Sequence, residues 1–397
     1  MVAFRLLFSY FVIFLIGFGC CFIAYAQTGF TLESGNKLTT KLSSEYGQIS
    51  NFLNQSDNKK STGYFKIEPS VFLQSQMSRH LVQLNANVSH YKFTDFKEDD
   101  HSDLLLQPKY FFKLDNNKTL FAEIKWSEDY EYRGTNLSLG DAESLMTGDD
   151  KKTVSTNLGY LYGQEGSIAK LKLSVGQQDF RYKTRREHSQ LLDRKDTSAK
   201  AEFDYLLSGK TYFAIDLDYT QSDFKHNSSI NKNKYAALIG VKWQSTAITQ
   251  LQALAGYHEL SFDDKSLAKD SGFKWRVAVN WRPTKFTQVN INTLRDFETA
   301  NRIADSYRVV DSTNLQISSQ FTDYFQVSTV IGYKTEEIVY TGKTDDEDYF
   351  YSELKLKYQR NEWLTLFAGF TFKELDASEE QLSYQARSLS LGFSVII

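Results

Sequence analysis

The chain has 397 residues, 46 Lys or Arg against 49 Asp or Glu, and a formal net charge of −3. That balance excludes the basic excess of a nucleic-acid binder, and the two cysteines, Cys20 and Cys21, fall within an expected N-terminal leader whose removal leaves none to staple a scaffold or hold a metal. Aromatic residues make up 15% and prolines number three, and beyond the N-terminus no stretch approaches the roughly 20 continuous apolar residues of a membrane helix.

Residues 1–26 read as a secretory leader. Arg5 is the sole charge, an apolar run follows from Leu6 to Ile23, and Ala24-Tyr25-Ala26 offers the small residues at Ala24 and Ala26 that a signal peptidase accepts. Gly17-Phe18-Gly19 lacks the aliphatic residue of a lipoprotein signal, so lipidation at Cys20 is not expected. Cleavage would remove both cysteines. Residues 27–36 are expected to form a short periplasmic segment, and residues 37–397 a single domain.

From Leu38 onward the chain repeats one pattern. Phe273, Trp275, Val277, Val279 and Trp281, for example, alternate with Lys274, Arg276, Ala278, Asn280 and Arg282. A period of two is that of a strand with one apolar and one polar face. The pattern predicts about eighteen strands, the first nine near 37–52, 63–74, 80–93, 103–114, 119–132, 153–163, 168–182, 197–207 and 211–224. The other nine fall near 234–244, 248–262, 272–281, 286–297, 307–319, 324–339, 348–359, 362–373 and 384–397. Tight turns such as Asp115-Asn116-Asn117-Lys118, Ser208-Gly209-Lys210 and Arg360-Asn361 alternate with longer polar loops such as Arg133–Lys152 and Lys183–Asp196. The expected class is therefore all-β: a transmembrane antiparallel up-and-down β-barrel in a Gram-negative outer membrane, with short periplasmic turns and longer extracellular loops.

A charge facing hydrocarbon costs roughly 2–4 kcal/mol at the midplane, so the charged face of each strand is expected to look inward. The lumen-lining candidates are Lys170, Lys172, Lys200, Glu202, Asp204, Tyr212, Asp216, Asp218, Lys274, Arg276, Glu353, Lys355, Lys357 and Lys373. Both signs occur, so strong ion selectivity is not indicated, and inward aromatics such as Tyr91, Tyr212, Tyr351 and Phe367 could stack on sugar rings. Roughly eighteen strands leave an open lumen unless a loop enters it. Arg133–Lys152 is long enough to do so, although a solvated outer loop is the commoner outcome.

The five tryptophans, Trp126, Trp243, Trp275, Trp281 and Trp363, are expected in interfacial girdles. The end of the chain, with Gly392, Val395 and an apolar Ile397, resembles the terminal-strand signal read by the barrel-assembly machinery, with Ile in place of the usual aromatic. No catalytic residue, metal site or cofactor is predicted. The six histidines are scattered, no nucleophile elbow, His-Glu-x-x-His or phosphate loop occurs, and His258 is expected to be a hydrated rim residue. The acidic runs Lys97–Asp100 and Thr344–Asp348 are expected to be solvated loops, with weak cation bridging at the lipopolysaccharide surface as the alternative.

Near the leader, Gly29-Phe30-Thr31-Leu32-Glu33 followed by a first strand containing Tyr46 resembles the β-barrel porin family associated with exopolysaccharide and capsule gene clusters. That resemblance implies a non-enzymatic conduit through which a periplasmic export protein delivers polysaccharide to the surface. A general small-solute porin is the near alternative, and a surface-adhesion barrel or lipid-modifying enzyme the more distant one. Outer-membrane lipid and lipopolysaccharide would be its surroundings.

Overall fold

A computed structural model describes residues 30–32, 36–246, 248–340 and 343–397. The expected leader lies outside the described residues. Strand β1 (Phe30–Leu32) forms a small hairpin with the start of β2 (Asn36–Ile49), pairing Phe30 with Leu38, so part of the expected periplasmic segment is an arm on the first wall strand.

The wall continues through β3 (Thr62–Met77), β4 (His80–Phe93), β5 (His101–Lys113), β6 (Lys118–Glu131), β7 (Asp149–Tyr162), β8 (Ala169–Tyr182) and β9 (Arg194–Ser208). Then come β10 (Thr211–Phe224), β11 (Lys232–Thr246), β12 (Thr249–Phe262), β13 (Asp270–Thr284) and β14 (Thr287–Thr299). The last five are β15 (Tyr307–Gln320), β16 (Phe325–Tyr340), β17 (Lys343–Gln359), β18 (Leu364–Ala377) and β19 (Tyr384–Ile396). Every strand from β2 onward pairs antiparallel with its chain neighbour, and Ser388–Ile396 of β19 pairs with Lys41–Ile49 of β2. The sheet thus closes on itself as an eighteen-strand barrel, β2 to β19, and has no lateral edge to aggregate.

Alternation sets the two faces. Leu158, Val175, Leu217, Ile239 and Leu391 are half or more exposed on the outer face, which is where lipid lies. Trp243, Trp281 and Trp363 stand at the short-turn end of the wall, and Trp126 and Trp275 towards the long-loop end, as two girdles. The start of β2 and the end of β19 meet at the short-turn end, where the Ile397 N–H donates to Thr40 O at 2.9 Å.

Two acidic runs differ from the expectation. Thr344–Asp348 is not a loop: it continues β17 in register with Thr335–Val339 of β16. Two of its four acids have cations there, Asp345 with Lys343 at 3.0 Å and Glu347 with Arg302 at 2.7 Å. In the other run Asp99 is fully buried, because it is the counter-ion of Arg133.

Candidate functional site: the lumen and its outer mouth

Side chains from strands that are not neighbours meet on one face of the wall, which only the concave face permits. Arg276 on β13 reaches Asp216 (3.1 Å) and Asp218 (3.4 Å) on β10, and Lys234 on β11 reaches Asp296 on β14 at 3.2 Å. Lys242 is 2.7 Å from Asp204 and 3.9 Å from both Glu202 and Asp216. Lys172 binds Glu202 at 2.7 Å, and Lys170 lies 3.5 Å from Asp204 and 3.9 Å above the Tyr212 ring. Lys274, almost wholly buried, pairs with Asp296 at 3.0 Å. The structure thus brings Lys170, Lys172, Glu202, Asp204, Tyr212, Asp216, Asp218, Lys274 and Arg276 into one region spanning β8 to β14. Each acid has a cation within reach, so the charges largely cancel.

Lys200, on β9 in register with Asp218, lies in the same region but forms no ion pair among the described residues. The candidates on β17 and β18 lie apart. Glu353 accepts a hydrogen bond from Tyr351 Oη at 2.6 Å, Lys355 sits 4.6 Å above the Phe367 ring, and among the described residues Lys357 and Lys373 form no ion pair. At the seam, Gly392 pairs with Glu45 and Val395 with Leu42.

Sequence reasoning missed Lys234, Lys242 and Asp296, and it misplaced His258. That histidine is 1% exposed, stacked on Phe297 at 3.8 Å and 3.6 Å from Asp296. Parity was the available signal, since His258 alternates in step with Gln250 and Gln252 on the polar face of β12.

Next to the charged region lies a cavity of about 650 Å³ whose lining includes Tyr212, Gln250, Gln252, Asn280, Asn292 and Gln316. Amides offer donors and acceptors together without a charge. A smaller cavity of about 270 Å³, nearer the loops, is lined by Tyr64, Tyr91, Tyr132, Tyr351 and Lys373. Burial raises the Tyr132 hydroxyl far above its ordinary range, so this lining stays uncharged at that position.

The outer mouth is crossed by the loop between β6 and β7, residues 132–148. It is fixed at its root by Arg133, whose Nη1 donates to Leu145 O at 2.7 Å and whose guanidinium pairs with buried Asp99. Glu143 meets Lys60 at 3.0 Å and Asn58 at 2.9 Å in the β2–β3 loop, and Asn136 meets Asn301 in the β14–β15 loop. Gly134, at φ +74°, has no room for a side chain beside the Leu53 backbone. This loop is therefore not the solvated excursion that its length alone predicts: partners on other loops hold it.

No curated protein matches the chain. Among solved structures it is similar to the FrpB iron transporter from Neisseria meningitidis at 11% identity and TM-score 0.48, covering 86% of this chain and 62% of that one. It is similar to OccK5 from Pseudomonas aeruginosa at 11% identity and TM-score 0.48, covering 91% and 98%. The siderophore receptor PirA from Acinetobacter baumannii matches at 8% identity and TM-score 0.47, covering 92% and 81%. Nothing about cargo follows from likeness at this level. The family model described as "Putative beta-barrel porin 2" matches residues 29–396, nearly the whole closed wall, and the chain therefore belongs to that family of porins as a multi-pass β-barrel of the Gram-negative outer membrane.

Proposed function

We propose that this porin passes a hydroxyl-rich cargo, and that the cargo is a polysaccharide leaving the cell. The observation that carries the reading is the amide-lined cavity beside Tyr212, with Gln250, Gln252, Asn280 and Asn292 on its wall. Sugars need many weak, exchangeable hydrogen bonds and an aromatic face to slide across. Each such bond contributes only about 1 kcal/mol net, strong enough to hold a chain in the lumen and weak enough to release it. The adjoining charges of β8 to β14 are paired with one another, so they stiffen the wall and leave hydrogen bonding to the amides.

Passage on this reading is passive. A periplasmic export protein would feed the polymer in at the short-turn end, lipid and lipopolysaccharide would surround the wall, and the assembly machinery would read Gly392, Val395 and Ile397. A general small-solute porin is the second reading, favoured by the loop across the mouth, which narrows the exit for a polymer. Deleting the gene tests the choice. Loss of surface polysaccharide with its retention in the periplasm supports export, and unchanged surface polysaccharide with slower uptake of small sugars supports the porin reading instead.

A further inference from the structure

The inner wall has two unlike halves. From β8 to β14 the acids and bases pair off, as described above. On β2, β17 and β18 they do not. A cavity of about 350 Å³ near the short-turn end is lined by Lys41, Lys355 and Lys357, together with Lys66, Glu45 and Glu68. Among the described residues, Lys41, Lys355 and Lys357 form no ion pair.

The nearby carboxylates are already engaged. Glu68 takes Lys66 at 2.6 Å and the Ser89 hydroxyl at 2.7 Å. Glu45 accepts from the Tyr64 hydroxyl, and Glu353 from that of Tyr351 at 2.6 Å. The lining therefore carries four lysines against two carboxylates, Glu45 and Glu68, a net excess of two positive charges. Ser43, Ser394 and Thr365 on the same lining add hydroxyl donors. A lumen with low-dielectric walls focuses such a field.

We infer that this pocket is a subsite for an acidic group, a carboxylate borne on a sugar, so that the cargo carries uronic-acid-type residues. The inference rests on the reading of the lumen as a carbohydrate path and names the class of carbohydrate. The amide cavity, which also lies near the short-turn end, would hold the hydroxyls of the same chain while Lys41, Lys355 and Lys357 hold its carboxylates.

The test uses the full-length barrel, purified in detergent and inserted into planar bilayers, with trigalacturonate and uncharged maltotriose as probes added at the short-turn side. Trigalacturonate is expected to block the current at lower concentration than maltotriose. Its block should weaken as KCl rises from about 0.1 M to about 1 M, where the screening length falls from about 10 Å to about 3 Å. In the triple variant Lys41→Gln, Lys355→Gln, Lys357→Gln its apparent affinity should fall roughly ten-fold or more, with maltotriose block unchanged. Equal block by the two sugars, or block by trigalacturonate that ignores salt, overturns the subsite. Both are read on the wild-type chain, so a variant that fails to fold does not protect the idea. A conducting barrel that neither sugar blocks overturns the carbohydrate reading itself, a result distinguishable from loss of the acidic preference alone.

Discussion

Asn301 donates from Nδ2 to Asn136 Oδ1 at 2.6 Å, tying the loop after β6 to one eight strands further round an eighteen-strand ring. The tie runs nearly across a diameter of the mouth. Replacing Asn301 with Ala removes a bond of about 1 kcal/mol, so the loop should spend more time away from its closed position. Single-channel recording should show a larger open fraction or higher conductance than wild type. Traces identical to wild type would show that this crossing does not limit the current.

Arg133 is the root of the same loop. Asp99, its partner, also accepts the Gly148 N–H at 3.1 Å, so Arg133→Ala would strand a fully buried carboxylate. Breaking a buried pair in this way costs about 3–5 kcal/mol. The variant should lose loop order before it loses the barrel, seen as rapid protease cleavage within 132–148 while the wall stays resistant to denaturation by detergent at moderate temperature.

Asp305 gives the mouth a pH dependence. It is 1% exposed in the β14–β15 loop, and neither carboxylate oxygen has a hydrogen-bond partner. Burial raises its pKa to about 6, and the positive charges of Arg302 and Arg308 offset only part of that rise. The folded state therefore favours the protonated acid. Loop anchoring is best below about pH 4 and weakens as pH rises towards and beyond 6, by roughly 3 kcal/mol at neutrality. Asp305→Asn should abolish this difference. Comparing loop proteolysis of the two proteins between about pH 4 and pH 8 checks it, and parallel curves would refute it.

Arg276 holds two acids at once. Among the described residues Arg276→Gln leaves Asp216 only Lys242, at 3.9 Å, and Asp218 no ion pair. The inner surface gains net negative charge, so the reversal potential in a KCl gradient should move towards the cation side. A shift in the opposite direction would mean that these groups do not face the permeating ions.

Much of the wall was legible because lipid imposes its own rule on every strand. His80–Phe93 and Thr211–Phe224 fall on the same residues in sequence and structure, since apolar alternation is a local property. What stayed hidden depends on curvature. Nothing near Arg276 in the sequence says that its partner is Asp216, three strands away, and nothing near His258 announces the Phe297 ring that covers it. The acidic run in β17 differs from its reading for a related reason: a cluster of carboxylates looks solvated until the fold brings Arg302 of the β14–β15 loop to Glu347. Loop length was a poor guide to loop position, because the contacts that hold 132–148 across the mouth come from three other loops.

The seam between β19 and β2 can also be probed directly. A side chain at Gly392 would collide with the Phe367 ring and with the carbonyl of Ser44 on β2. Gly392→Val should therefore hinder closure and reduce the fraction of protein that migrates as folded barrel on unheated gels. Normal migration would show that the ring and strand move aside at little cost.

The ladder at that seam covers nine residue pairs, Lys41–Ile49 against Ser388–Ile396, and it joins the first wall strand made to the last. Until those two strands meet, both rims of the sheet carry a row of unpaired backbone N–H and C=O groups open to pairing with another chain. Zipping this one ladder removes both rims at once.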